Sequence, residues 1–553
     1  MTRILIIGCG LAGISAAIRA ADQNADVTLL SPSRPDRSQS VLAAGGINAA
    51  LNTKNEQDSP EEHAEDTIRA GVWLADPAAV RDLAAAAPAI VTGLGQRGIV
   101  FSRDADNNPD LRHFGGQKKM RTVFSRSGIG RQLIAGLSAE LRLREDSGRI
   151  TCLDHHRFLS PVCACGRCVG AVIEDTATGV LSARTADAVI IASGGLGGLF
   201  PGHTGSREND GSVTASLFRK GVEMANLEMI QYHPTTIETP AKHILISESA
   251  RGEGGRLFTI RDGQRWYFME EWYPGLGNLM PRDIVSRAIH TVCCDMHLGI
   301  GGKNIVGLQL EHLSAPVLAE RLKEVTDLCK TYLHCDPSET YIPVTPAVHY
   351  FMGGISVDRR HRTSLPGLYA AGECACQYHG ANRLGGNSTL GAIYGGRVAA
   401  ETAVSECISI PADAAEAAAA AELAIIQKRL AAMTGTTSPS QYLRRLQAVL
   451  SDTMGIIRTG AGLEAGLLRL SALGTEELSW MTRHSSDALA AENLSHLGEA
   501  MIRSALARKE SRGAHARADY PDRNDAEFRK TLIAAETADG ITIRFADIGR
   551  EYP

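Results

Sequence analysis

One segment, RILIIGCGLAGISAAIRAAD at residues 3–22, constrains the fold of this chain more than any other. Residues 4–7 are an unbroken apolar run, the pattern of a strand buried on both faces. The run breaks at Gly8-Cys9-Gly10-Leu11-Ala12-Gly13, and the alanine-rich residues that follow have helical character. Glycine at the first, third and sixth positions lets the backbone turn sharply and approach a ligand closely. It also presents the N–H groups of a helix start to a pyrophosphate. A glycine-rich turn alone says little, but a strand before it and a helix after it are the context of a dinucleotide-binding unit. The expected fold is therefore α/β with a Rossmann-like domain, and Gly8, Gly10 and Gly13 are candidate cofactor-binding residues.

The second strand, ADVTLLS, ends at Ser31, whose hydroxyl can bond a ribose where such folds often place an acid. Two more apolar strands open into small residues downstream, ADAVIIASGGLGGLF at 186–200 and PGLYAAGECA at 366–375. Small residues are needed where backbone skirts a bulky planar group. Three such segments in one chain imply FAD, which is long enough to touch several parts of one sheet, and they place Glu373 where it can accept from hydroxyls. Residues 232–346 lack this pattern and are read as an inserted α+β capping domain. Residues 1–231 and 347–405 are then the two parts of the FAD-binding domain. Residues 406–553 are read as a C-terminal helical domain, from stretches such as ADAAEAAAAAELAIIQKRLAAM and QYLRRLQAVLSDTMGII.

A formal charge of -5 leaves no basic footprint for nucleic acid. No window approaches ~18 consecutive apolar residues, so no direct membrane span is expected. With MTRILIIGCG entering a strand at once, the reading is a cytoplasmic protein that could reach the cytoplasmic face of a membrane through partner subunits. Twelve cysteines are too sparse for a disulfide scaffold. Cys163, Cys165 and Cys168 have the short spacings of iron-sulfur or zinc sites. Their stretch, PVCACGRCVGAVIED, reads instead as two strands around a tight turn at Cys165-Gly166-Arg167, and no metal site is assigned.

Charged and imidazole groups collect beside glycine or proline in HFGGQKKMRT (113–122), QYHPT (231–235), LISESARGEGG (245–255), NLMPRDIVSRAI (278–289), VTPAVHYFMGGI (344–355) and HGANRLGGNST (379–389). Each alone fits a structural role. Together they imply an Arg- and His-rich pocket facing a flavin and suited to a small dianion. Guanidinium binds carboxylate bidentately, and imidazole can donate to it.

RGEGG, HPT, PRD, HY followed by MGGI, and HGANRLG, taken together, resemble the flavoprotein subunits of succinate dehydrogenase and fumarate reductase, a family that includes L-aspartate oxidase. The resemblance spans residues 1 to about 405 and continues more loosely beyond. It implies that Arg282 delivers a proton to one carbon of the substrate double bond while flavin N5 delivers hydride to the other. Glu248 and Arg251 would then reprotonate Arg282. The resemblance further implies dicarboxylate binding by His233, Ser247, His349 and Arg383, with Ser247 where the family often has Thr. Flavin contacts are implied from Gly10, Gly13, Ser31, Gly46, Asp210, Glu373, Ser388 and Thr389. An arginine donor requires a dry, positively charged site and a carboxylate that restores the proton, because guanidinium is otherwise always protonated.

Two positions depart from the family pattern. The membrane-complex enzymes generally show Ser-His-Thr-Val before a twin glycine, with the His linked to FAD. Here Ser38-Gln39-Ser40-Val41 precede Gly45-Gly46. Glutamine cannot form the link, which implies noncovalent FAD of lower potential and favours fumarate reduction over succinate oxidation. The same feature resembles aspartate oxidase. Aspartate oxidases, however, typically carry Glu before the twin glycine of the HFGG segment, where it meets the substrate ammonium. Phe114 offers no such charge and is read as a substrate contact that favours a ligand without an amine. The expected function is interconversion of fumarate and succinate, working more as a reductase. A separate iron-sulfur subunit would feed it, since the chain has no convincing cluster motif of its own. L-Aspartate oxidation and a non-catalytic flavin scaffold are the alternatives.

Overall fold

The computed structural model describes residues 1–552 except 126, 127, 241, 434–437 and 478–485, and no side chains at 474–477. The strand Arg3–Ile7 lies at the centre of a five-stranded parallel sheet. The order is Leu368–Ala370, Ala188–Ile191, Arg3–Ile7, Asp26–Leu30 and Ile150–Leu153. Leu5 and Ile7 face one hydrophobic core and Ile4 and Ile6 another, which is why the run shows no alternation. The helices Leu11–Asp22, Ile129–Asp146 and Asn387–Ser405 cover one face. The other face is covered by the helix Ser212–Arg219, the strands His156–Ala164 and Arg167–Asp175, and C-terminal helices. Each fully buried Ile or Leu contributes roughly 1.5–3 kcal/mol.

The cap is a six-stranded antiparallel sheet in the order His243–Leu245, Ile230–Glu238, Ile342–Phe351, Val306–Gln309, Arg256–Arg261 and Gln264–Trp266, with its own apolar core. The chain enters and leaves it along the paired strands Ile230–Glu238 and Ile342–Phe351, so the positions 231/232 and 346/347 fall inside strands rather than at loops.

The C-terminal region contains the helices Ala412–Ala432, Pro439–Thr453, Gly460–Glu477 and Ser486–Ala507. Beyond them the tail forms the hairpin Thr531–Thr537 and Gly540–Ala546. Through its first strand this hairpin pairs with Met224–Ala225 in a second five-stranded sheet. The tail is anchored by a buried ionic network. Arg508 Nε lies 2.7 Å from Glu228 Oε1, and Glu510 Oε1 lies 3.2 Å from Arg508 Nη1 and 2.7 Å from Arg512 Nε.

The cysteine stretch forms the expected hairpin. Cys165 (φ 51) and Gly166 (φ 72) make its turn, as a two-residue loop with both central residues left-handed requires. Cys163 and Cys165 are exposed and Cys168 is buried. Among the described residues no group of three His, Cys, Asp or Glu could hold a metal. One described helix, Pro77–Gln96, is long and apolar enough by composition to cross a membrane, and it turns Val80, Leu83, Ala87, Ile90 and Leu94 into the interior.

Candidate active site

A cavity of about 810 Å³ is walled by residues from the parallel-sheet domain and from the cap. Gly8, Gly10, Ser31, Gly45, Gly46, Asp210, Glu373, Ser388 and Thr389 all line it. Gly8 has φ +108, and a Cβ there would lie 2.3 Å from Ala192 O. Gly13 does not line the cavity. A Cβ on it would sit 1.8 Å from Gly8 O, so its part is to let the helix Leu11–Asp22 pack directly on the turn. Gly10 has no side chain to cap that helix; Ser40 Oγ accepts from Leu11 N at 3.0 Å, and Gly10, Leu11 and Ala12 at the helix start line the cavity, where an anionic ligand is favoured. These bare glycines, the helix start at the cavity and the length of the lined wall fit FAD. Glu373 accepts from Phe351 N at 3.2 Å, and burial pushes its carboxyl up to about 7. Asp210 accepts from Ser212 N at 2.9 Å and Ser212 Oγ at 2.7 Å, and burial raises it as well. Gln39 lines the cavity and accepts from Ser206 N.

The opposing charges of SESARGEGG and PRD meet at Glu248, which is 2% exposed. Its Oε2 accepts from Arg282 Nε at 2.8 Å and Arg282 Nη2 at 2.6 Å. Its Oε1 accepts from Arg251 Nη2 at 3.3 Å and Gly115 N at 3.0 Å. Burial alone would raise the Glu248 carboxyl, but Arg282 and Arg251 outweigh it and hold it below the usual carboxylate range. Arg282 and Glu248 line the cavity, whereas Arg251 stands behind them and donates to Asn278 O at 2.6 Å. Burial lowers the Arg251 guanidinium, Glu248 opposes that, and Arg282 adds to it.

His233, Ser247, His349 and Arg383 line the same cavity. The two imidazoles meet edge to face with centroids 5.0 Å apart. Burial first, and Arg282 next, hold both far below the usual histidine range, so both are neutral. His349 Nδ1 is 2.7 Å from Thr204 Oγ1. Arg383 stacks 4.3 Å over the Tyr350 ring and donates to Ser388 Oγ at 3.0 Å. Burial, reinforced by Arg282, lowers its guanidinium to about 9. His233 Nε2 and Arg383 Nε are buried with no hydrogen-bond partner among the described residues. A carboxylate-bearing ligand would satisfy such donors.

Phe114 corrects the sequence expectation. It is fully buried and off the cavity wall, backing Gly45 and Gly385, whose added Cβ atoms would lie 3.1 Å and 2.6 Å from its ring. Gln231 was missed as a site residue. It accepts from Arg282 Nη1 at 3.0 Å and is oriented by its donations to Asn382 Oδ1 at 3.0 Å and Arg383 O at 2.8 Å. Its place in QYHPT, two residues before His233 on one strand, was the available signal. Tyr350 lay in the quoted HY motif beside His349 and was passed over, and Thr204 carried no signal.

A family profile described as FAD binding domain matches residues 3–389, and one described as fumarate reductase flavoprotein C-term matches residues 443–551. The succinate dehydrogenase flavoprotein subunit of Bacillus subtilis is 38% identical over 546 residues, covering 96% of this chain and 93% of the relative. The fumarate reductase flavoprotein subunit of Mycobacterium tuberculosis is 35% identical over 566 residues, covering 97% and 95%. A solved structure of E. coli quinol fumarate reductase superposes with a TM-score of 0.90 at 32% identity, covering 100% of this chain and 98% of that one. An FAD cradle joined to an Arg- and His-lined cavity, with these matches along nearly the whole length, places the chain in the succinate dehydrogenase/fumarate reductase flavoprotein family of FAD-dependent oxidoreductases.

Proposed function

We propose that the chain is the catalytic flavoprotein subunit of a fumarate reductase, holding FAD noncovalently. The observation that carries this reading is Arg282. It faces the cavity while both its Nε and Nη2 bind the Glu248 carboxylate, and Glu248 in turn contacts Arg251. Arg383, His233, His349 and Ser247 bind the two carboxylates of fumarate and hold one out of conjugation, which makes the double bond a better acceptor. FAD, when bound against Gly8, Gly10, Ser31, Gly45, Gly46, Asp210, Glu373, Ser388 and Thr389, supplies the hydride. Arg282 holds a proton at the substrate carbon and gives it up there. Glu248, a carboxylate at rest, takes a proton from Arg251 and passes it to Arg282, which restores the donor and leaves Arg251 to be reprotonated from solvent. Arg282, Glu248 and Arg251 are 6%, 2% and 1% exposed, so the exchange is shielded from bulk water.

Gln39 supports the reducing direction, since it cannot make the covalent flavin link that raises the potential. Electrons would come from an iron-sulfur partner, which would hold this chain on the cytoplasmic face of a membrane. Gln39 is equally compatible with L-aspartate oxidation, and Phe114, off the cavity wall, does not separate the two readings; peroxide formation from L-aspartate does. Titrating the flavin spectrum with malonate or fumarate, then denaturing the protein and separating chain from cofactor, tests the reading. The expected result is a saturable spectral change and complete release of FAD. A spectrum indifferent to dicarboxylates would mean a flavin scaffold, and FAD retained on the denatured chain would refute the noncovalent assignment.

A further inference from the structure

The turn at Gly385 and Gly386 touches the proton relay without supplying a side chain to it. A Cβ on Gly385 would lie 2.7 Å from Glu248 Oε2 and 3.0 Å from Arg282 Nη2, so bare backbone closes over the ion pair. A buried polar cluster drawn from distant parts of the chain fixes this turn. Asn48 Nδ2 donates to Gly385 O at 2.8 Å and to Asn387 Oδ1 at 2.7 Å, and Asn48 N donates to Gly386 O at 3.4 Å. Gln117 Nε2 adds a second donor to Gly385 O at 3.2 Å. Thr122 Oγ1 donates to Asn48 Oδ1 at 2.6 Å, which orients the Asn48 amide.

Asn387 opens the helix Asn387–Ser405, whose next residues, Ser388 and Thr389, line the cavity. Its Nδ2 donates to Thr67 Oγ1 at 2.9 Å, and its Oδ1 lies 3.0 Å from His63 Nε2. An amide oxygen only accepts, so His63 carries its proton on Nε2. Burial, with Arg121 next, lowers His63 to about 4, which makes it a fixed neutral donor rather than a proton carrier. Its helix, Pro60–Ala70, is clamped by the fully buried Arg121, which lies 2.7 Å from both Asp58 Oδ1 and Asp66 Oδ2. Asn48, His63 and Asn387 are 0% exposed and none lines the cavity.

We propose that Asn48 and Asn387, oriented by His63, are positioning residues. They hold the Gly385–Gly386 backbone against Glu248 and Arg282, keeping the relay dry and in register with the helix start on the cavity wall. The catalytic consequence rests on the fumarate reductase reading, whereas the structural one does not. Misplacement of about 1 Å at such a site can cost ~100-fold in rate.

The test uses FAD-loaded protein and three variants. Asn48→Asp puts an acceptor against Gly385 O and Asn387 Oδ1 at nearly unchanged size. His63→Leu removes a donor, and His63→Gln retains one. Two quantities are measured: fumarate-dependent dye oxidation, and amide hydrogen exchange of residues 384–389. Asn48→Asp and His63→Leu are expected to lower kcat about tenfold or more with KM within about twofold, and to speed exchange in that segment about tenfold, while His63→Gln stays close to wild type. Unchanged exchange in Asn48→Asp and His63→Leu, or His63→Gln damaged as badly as His63→Leu, would overturn the proposal. A wild-type protein inactive on fumarate would instead reject the functional reading, leaving exchange to decide the positioning role by the same criteria.

Discussion

Arg383 enters the cavity as a guanidinium over an aromatic face, lowered to about 9 by burial and by its neighbour Arg282. Below that pH it is charged and offers a charge-assisted bond to a carboxylate; above it the free enzyme loses that charge. Since kcat/KM reports the free enzyme, kcat/KM for fumarate is expected to fall as pH rises through about 9, and competitive inhibition by malonate should weaken in parallel. His233 and His349 are held far below the usual histidine range and contribute no step between about pH 6 and 8. A profile flat to about pH 10 would show that Arg383 keeps its proton there, against the lowering by burial and Arg282. Much of this chemistry was legible by residue type, because PRD, HPT and RGEGG carry unusual combinations of charge and turn residues. The contacts were not. Glu248 and Arg282 are 34 positions apart in sequence, and only the fold brings their atoms to 2.6 Å. Gln231 sat inside the quoted QYHPT segment, but as an uncharged amide it was passed over beside His233. Phe114 was misplaced because Gly45 and Gly385, not its own neighbours in sequence, set its distance from the wall.

Among the elements, the turn between Arg3–Ile7 and Leu11–Asp22 was readable because a fully buried parallel strand must be an unbroken apolar run and its glycines have few alternatives. Gly13 gives a direct check. An added Cβ meets Gly8 O at 1.8 Å, and the neighbour is backbone that cannot swing aside. Gly13→Ala is expected to destabilise the fold by about 1–3 kcal/mol through overpacking and to leave protein purified with little FAD. Full FAD content and an unchanged melting temperature would contradict the packing role. The hairpin Thr531–Thr537 and Gly540–Ala546 escaped the helical reading of the tail. Its alternation is interrupted by Ala534 and Ala535, and its partner strand Met224–Ala225 is too short to show a period. The cap was legible as a region lacking the glycine pattern. Its entry was not, since an apolar-polar strand continues across the junction from Ile230 to Glu238.

For the whole molecule, the tail is secured to the FAD-binding domain by charges as well as by apolar packing. Arg508, Glu228, Glu510 and Arg512 have side chains that are 0% exposed, and Arg508 also donates to Phe528 O at 2.6 Å. Removing one partner of a buried pair leaves the other charge unpaired, so Arg508→Ala is expected to cost about 3–5 kcal/mol and lower the melting temperature. A loss under about 1 kcal/mol would mean that apolar packing alone holds the tail. The central claim, that Arg282 serves as proton donor to a dicarboxylate, is tested most directly by two assays on the purified FAD-loaded chain. One is anaerobic oxidation of a reduced viologen by fumarate, in wild type and Arg282→Ala. The other is aerobic peroxide formation from L-aspartate. Fumarate-dependent oxidation that falls at least about 100-fold in Arg282→Ala, with no peroxide from aspartate, is the expected result. Activity on fumarate that survives the substitution, or peroxide produced from aspartate, would contradict it.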